Sequence, residues 1–191
     1  LSRWTLDVDT DGNGSTDLVD AELDTIALSS SGMGVVVDGV ADLTVSGDLG
    51  LARISVDGTV RYTGLTLGDV VVTTNTVVGD FGLTGDLEID YLGYNSAAAT
   101  YDRLDWNSAV DFEGDGEFET LDPGAILTDP VDLSIDFESG LHFVVRGSVT
   151  GTGDEEELLV AGPVSIRGTA EFALSRWTLD VDTDGNGSTD L

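Results

Sequence analysis

One short pattern recurs along this chain: two apolar residues at alternate positions, a glycine, and two more apolar residues at alternate positions. It reads Leu43-Val45-Gly47-Leu49-Leu51, Ile54-Val56-Gly58-Val60-Tyr62, Phe81-Leu83-Gly85-Leu87-Ile89 and Val164-Ile166-Gly168-Ala170-Phe172, with a partial copy at Phe143-Val145-Gly147-Val149. Apolar side chains at every second residue suit a half-buried strand, because successive strand side chains point to opposite faces. The glycine admits two readings. In Asp38-Gly39 and Asp57-Gly58 it completes a two-residue hairpin signal,. In Leu83-Thr84-Gly85-Asp86-Leu87 it fits a bend or bulge in a long, coiled strand,. Both readings give a twisted antiparallel sheet, and the density of turn signals points to a β-sandwich or barrel-like unit. The fold expected is therefore all-β, with long twisted strands, inserted acidic loops and at most one short helix. A helical turn is expected over Val19–Asp24 with Asp17 as its cap, whereas Asp122-Pro123-Gly124 is expected to stop a comparable one. Gly151–Glu157 reads as an exposed hairpin loop.

The second constraint is a duplication. Residues 1–18, LSRWTLDVDTDGNGSTDL, return letter for letter as residues 174–191. The chain thus reads as one full period, residues 1–173, followed by the start of an identical one. That period is too long for a solenoid coil and matches one domain or two small ones. Leu1 falls inside a strand-like run that, in the second copy, reads on from Glu171, Phe172 and Ala173, so both ends read as cuts within a continuing repeat. The junction contains no Gly/Ser or Pro linker. Phe172 to Val181 reads as one strand, and residues 174–181 are expected to complete the sheet of the preceding unit by strand donation,. A fainter similarity relates Trp4, Val8, Asp9, Asp11, Asn13, Gly14 and Asp20 to Trp106, Val110, Asp111, Glu113, Asp115, Gly116 and Asp122, and suggests pseudo-halves 1–102 and 103–173. Trp4, Trp106 and Trp177 are read as core anchors beside each loop.

Charge narrows the partners. The formal net charge is −30, from 37 acids against 7 bases, all of them arginine. Such a surface repels phosphate backbones and anionic lipids and attracts cations, which argues against nucleic-acid binding. No apolar run is long enough for membrane insertion in this segment. The absence of cysteine excludes disulfides, zinc–thiolate sites and thiol catalysis,. Nor does the sequence read as an enzyme. Its single histidine, His142, stands between Leu141 and Phe143 in a strand-like run, and there is no lysine and no nucleophile-elbow motif,. Asn13-Gly14-Ser15 matches an N-glycosylation acceptor, so a glycan is a candidate partner, although a metal at Asn13 would disfavour one,.

The chemistry concentrates in two acidic loops. From Asp9 the spacing is D-x-D-x-N-G-S-x-D-x-x-D, which places Asp9, Asp11, Asn13, Ser15, Asp17 and Asp20 at alternating and closing positions. From Asp111 the matching set is Asp111, Glu113, Asp115, Glu117, Glu119 and Asp122. The second copy repeats the first loop with Asp182, Asp184, Asn186, Ser188 and Asp190, and its twelfth position falls beyond Leu191. A hard divalent ion needs roughly six to eight oxygens, and a curled loop with a glycine at its sixth position can converge that many. The plain alternative is acidic turn chemistry, or halophilic surface charge, with no ion. A competing frame from Asp7 lacks an acid at its end, Leu18.

These loops resemble the calcium loops of EF-hand proteins, and more closely those of dockerins, whose twelfth position is often Asp. The resemblance implies two Ca2+ sites per repeat and covers the loops alone. Phe118 fits the apolar eighth position and Thr16 departs from it. The leading flanks read as strands, so loops on a β scaffold are expected in place of paired EF-hands. The general organisation resembles the tandem repeats of giant bacterial surface adhesins. That implies a calcium-stabilised structural unit of an extracellular filament, stalk or adhesin extender, with neighbouring identical repeats as partners at the cell surface. The other readings are a carbohydrate-binding β-sandwich module, with Tyr91, Tyr94 and Tyr101 as the available aromatics, and a secreted hydrolase domain.

Overall fold

The computed structural model describes residues 1–11, 13–37, 41–78, 81–112, 115, 117–151, 155–161 and 164–181. The protein is all-β, as the alternation requires. Its strands are β1 (Ser2–Val8), β2 (Leu18–Val37), β3 (Ala41–Val56), β4 (Thr59–Val78), β5 (Phe81–Ala97), β6 (Leu141–Thr150), β7 (Glu157–Ala161), β8 (Val164–Arg167) and β9 (Thr169–Trp177). They form one sheet in the order β1-β2-β3-β4-β5-β6-β9, with β7 beside β5 and β8 beside β7. Every pairing is antiparallel. A twenty-residue strand such as β2 or β4 spans about 65 Å,.

Both roles expected of the repeating glycine occur, but the bulge stands at Gly47 and not at Gly85, which pairs with Thr74 of β4 without a register slip. Asp57 and Gly58 take φ of 52° and 72°, the double positive φ of a type I′ hairpin, and join Val56 to Thr59,. Gly47 has φ of 133° and sits where the β3–β4 register slips between Ser46 and Asp48, so it is a bulge within a long strand,. A Cβ there would lie 2.6 Å from the Val70 backbone. Asp38 and Gly39 lie outside the described residues.

Two local expectations are corrected. Residues 18–37 form β2, so Val19–Asp24 is strand and Asp17 caps no helix. Its apolar Ala21 and Leu23 are fully buried at alternate positions, and that burial outweighs a weak helical preference,. Among the described residues the one helical element is a 3-10 turn, Pro123–Ile126, in the place expected to stop a helix. Proline fits its first turn, and the Asp122 carboxylate accepts from the Gly124 amide as the cap,. The segment 151–157, expected as a hairpin loop, stands between two strands that do not pair with each other. β6 and β7 lie end to end along β5, and β8 and β9 follow one another across Gly168. The amide of Gly151 donates to Gly168 O, and that of Gly168 to Glu156 O, both at 2.9 Å, which stitches the break. Residues 152–154 lie outside the described residues.

The second layer is irregular chain. The described residues between 98 and 140 cross one face of the sheet and bury Leu104, Trp106, Ala109, Val110, Leu121, Leu133, Ile135 and Phe137. Opposite them the sheet contributes Leu6, Val8, Ala21, Leu23, Ala52, Ile54, Tyr62 and Leu141. The core therefore lies under the β1 end of the sheet and the half of each long strand nearest the Asp57–Gly58 turn. Asn95 pins the cover to the sheet. Fully buried, it donates from Nδ2 to Leu104 O and Glu138 O and accepts from Trp106 Nε1 at 3.1 Å. Trp106 lies against Gly64 of β4, where any Cβ would come within 3.1 Å of the indole.

The free edge of β1 is fastened to β2 by Arg3, whose Nε and Nη2 donate to the two carboxylate oxygens of Asp24 at 2.6 and 2.8 Å. This fork holds the Asp24 carboxyl below its ordinary range. The Asp132 carboxyl is lowered likewise, by the hydroxyl and then the amide of Ser134. A carboxyl depressed by folding stabilises the fold above its unfolded pKa, and that contribution is lost as pH falls through the folded value. In chelator, the melting temperature should fall as pH drops below the usual carboxylate range. Arg3→Gln should flatten that fall, and a circular-dichroism melting series from pH 6 to pH 2 reads both.

Candidate metal centre

The first loop connects β1 to β2 and the second lies within the irregular cover, yet the same bonds build both. The Asp17 amide donates to Val8 O, and the Glu119 amide to Val110 O, each at 2.9 Å. The Asp17 carboxylate accepts from the Thr10 amide at 2.9 Å, and the Glu119 carboxylate from the Phe112 amide at 2.8 Å. Asn13 Oδ1 accepts from the Ser15 amide, and Asp115 Oδ1 from the Glu117 amide, each at 2.9 Å. The acid at the ninth position thus ties the loop's exit to its entry, and the fifth-position side chain makes a turn over the seventh.

Each loop converges three carboxylates. Ligand oxygens of Asp9, Asp11 and Asp17 lie within 4.8 Å of one another, as do those of Asp111, Asp115 and Glu119. Asp9 is buried and accepts from the Asp11 and Gly14 amides at 3.2 and 2.6 Å. Asp11 accepts from the Asn13 amide at 3.1 Å. Asn13, Ser15 and Glu117 stand on the exposed rim. The twelfth positions lie outside both trios. Asp20, in a positive-φ conformation at the start of β2, receives no place among the three and donates its amide to Asp7 Oδ1 at 3.1 Å. Asp122 Oδ1 accepts from the Gly124 and Leu133 amides at 2.8 and 3.0 Å, so that oxygen caps the 3-10 turn and ties it to residue 133. Glu113, Asp182, Asp184, Asn186, Ser188 and Asp190 lie outside the described residues.

Sequence reasoning missed that the two loops are neighbours. Val8 and Val110, each immediately before its loop, form an antiparallel bridge. Trp4 meets Phe112 with ring centroids 5.6 Å apart. Between the loops lies a groove of about 600 Å³ lined by Asp9, Ser15, Asp20, Asp111, Phe112 and Phe118, among others. The signal was available: valine precedes each loop at the same offset, and bare loops have no need of it. The likeness of the two segments stops at the loops. The lead into the first is β1 and the lead into the second is not a strand; Trp106 is fully buried while Trp4 and Trp177 are partly exposed.

The donor chemistry suits a hard cation. Each trio brings three carboxylate oxygens, one from each residue, within 4.8 Å of one another, with no nitrogen or sulfur donor among them, and oxygen-only coordination is the preference of Ca2+ and Mg2+ over zinc or copper. The remaining sequence candidates make ring and cation contacts within the fold. His142 is half-buried, 5.8 Å from the rings of Tyr94 and Phe143. Tyr91 lies beneath the Arg146 guanidinium, and Tyr101 packs edge-on to Tyr62. Among the described residues no helix is long and apolar enough to cross a membrane. Comparison with protein families, with curated proteins and with solved structures finds no match to this chain.

Proposed function

We propose that the chain is a calcium-stabilised structural repeat of an extracellular filament, stalk or adhesin extender. The observation that carries this reading is the pair of carboxylate trios, built by the same bonds on adjacent loops. Close carboxylates repel one another unless a cation neutralises them. Asp9, Asp11 and Asp17 would hold one ion, and Asp111, Asp115 and Glu119 the other, with Asn13, Ser15 and Glu117 on the rim. An ion in the first loop fixes the path from β1 into β2. An ion in the second fixes the cover beside it, so both stiffen the same end of the sheet. The exact duplication, the absence of cysteine and the strongly acidic surface suit a repeated, exported, cation-rich setting,.

The test is electron microscopy of a tandem array of the period in calcium and in chelator. Straight rods that lengthen by an equal step per added unit in calcium, and bend in chelator, are expected. Flexible beads in calcium would count against the structural reading.

A further inference from the structure

The same sequence occupies both edges of the sheet. Residues 1–8 hold β1 beside β2, while Leu174–Trp177, a copy of residues 1–4, ends β9 beside β6. The two copies fare differently. Leu6 is 9% exposed and Val8 0%, but their counterparts Leu179 and Val181 are 68% and 42% exposed. The second copy therefore carries an apolar row that its first copy buries.

The backbone shows what that row fits. In a two-residue hairpin the flanking residues, here Val56 and Thr59, exchange backbone bonds, and the bonding direction alternates along a strand,. Val56 and Ile54 thus face β4, and Ser55 and Arg53 face β2. Ser55 and Arg53 stand opposite Glu22 and Asp24, which leaves Ala21, Leu23 and Thr25 bonding toward β1. Their partners Leu6, Trp4 and Ser2 therefore bond toward β2. In the second copy, Thr178, the counterpart of Thr5, donates its amide to Gly140 O at 2.9 Å, toward the β6 side. Trp177 and Leu179, counterparts of Trp4 and Leu6, then turn their backbone groups to the opposite edge. One sequence uses one set of groups for β6 and the complementary set for β2.

The faces agree as well. Trp4 stands opposite Leu23, and Trp177 opposite Leu141; both partners are core residues, and opposed residues share a face,. A strand bonded on both edges would set two covered faces on the same side.

We propose that residues 174–179 form a strand shared between two sheets, bonded to β6 through one edge and, through the other, to the β2 strand of a second copy in the register β1 shows. The proposal rests on the tandem-repeat reading and is independent of the metal. It makes the periods one uninterrupted sheet in which Leu179 and Val181 enter the neighbour's core.

Disulfide trapping in the full chain tests the register, since the chain has no cysteine of its own. Thr5 stands opposite Glu22 as a non-bonded pair, with Cα atoms about 4.5 Å apart, within disulfide reach,. Glu22→Cys with Thr178→Cys should therefore cross-link between molecules, giving a ladder on a non-reducing gel that grows with concentration. Leu6→Asp with Val8→Asp, which weakens the competing first copy, should raise the yield at least tenfold. Glu22→Cys with Arg176→Cys, two residues out of register, should give no ladder. If the Leu6/Val8 variant does not fold alone, a synthetic peptide of residues 174–191 should restore its melting transition. No ladder in either background, an equal ladder from the Arg176 control, or no rescue by the peptide would overturn the proposal. A ladder without any calcium effect on melting would sink the metal reading alone, and a calcium effect without a ladder would sink the shared strand alone.

Discussion

Trp106→Ala should lower stability by about 4–8 kcal/mol. Truncating a buried aromatic costs about 3–5 kcal/mol. The indole is fully buried against Gly64 and Ile135, where little can collapse into the space it leaves. A second cost follows at Asn95, whose Oδ1 loses the Trp106 Nε1 donor in a fully buried position; an unpaired buried acceptor costs about 1–3 kcal/mol. Trp106→Phe separates the two effects, because it keeps most of the volume and still removes the donor. It should cost about 1–3 kcal/mol. Urea unfolding monitored by circular dichroism reads both variants, and a Trp106→Phe variant as stable as the parent would show that the cover is not pinned through Asn95.

Calcium should raise the melting temperature by about 10–20 °C at saturation. Each site that binds the folded state alone adds about 2.7 kcal/mol at a hundredfold excess over Kd, and for a chain of this size each kcal/mol shifts melting by about 2–4 °C. Asp11→Asn and Asp115→Asn should show opposite signs in the two conditions. In chelator each variant should melt at the same or a higher temperature than the parent, since one of three mutually repelling carboxylates is gone,. In calcium each should lose about half of the gain. A variant that melts lower in both conditions would mark the carboxylate as a structural acceptor only.

Much of this was legible in the residues. Alternating apolar positions revealed the strands, and the repeated glycine revealed the hairpin at Asp57-Gly58, while the bulge expected at Gly85 falls instead at Gly47. The likeness of the two loops was legible in their shared spacing, and both close with the same backbone bonds. Three features were hidden, each for a physical reason. Val19–Asp24 carries a weak helical preference that only the burial of Ala21 and Leu23 against the cover overrides. The cover itself, residues 98–140, has no periodicity, because it packs through single anchors such as Leu104, Trp106 and Ile135 and has no repeating face. The commitment of Asp122 to the Gly124 and Leu133 amides depends on a segment eleven residues away, which loop spacing does not encode. The trios gather at the first, third or fifth, and ninth positions, and the twelfth lies outside them.

The most direct test is isothermal titration of the full chain with calcium chloride, repeated on Asp11→Asn and Asp115→Asn. Saturable binding at both the 9–17 and 111–119 loops is expected, with each substitution removing one site and its share of the rise in melting temperature. No heat of binding at millimolar calcium, together with an unmoved melting temperature, would contradict the claim that these loops clamp a cation to hold the unit rigid.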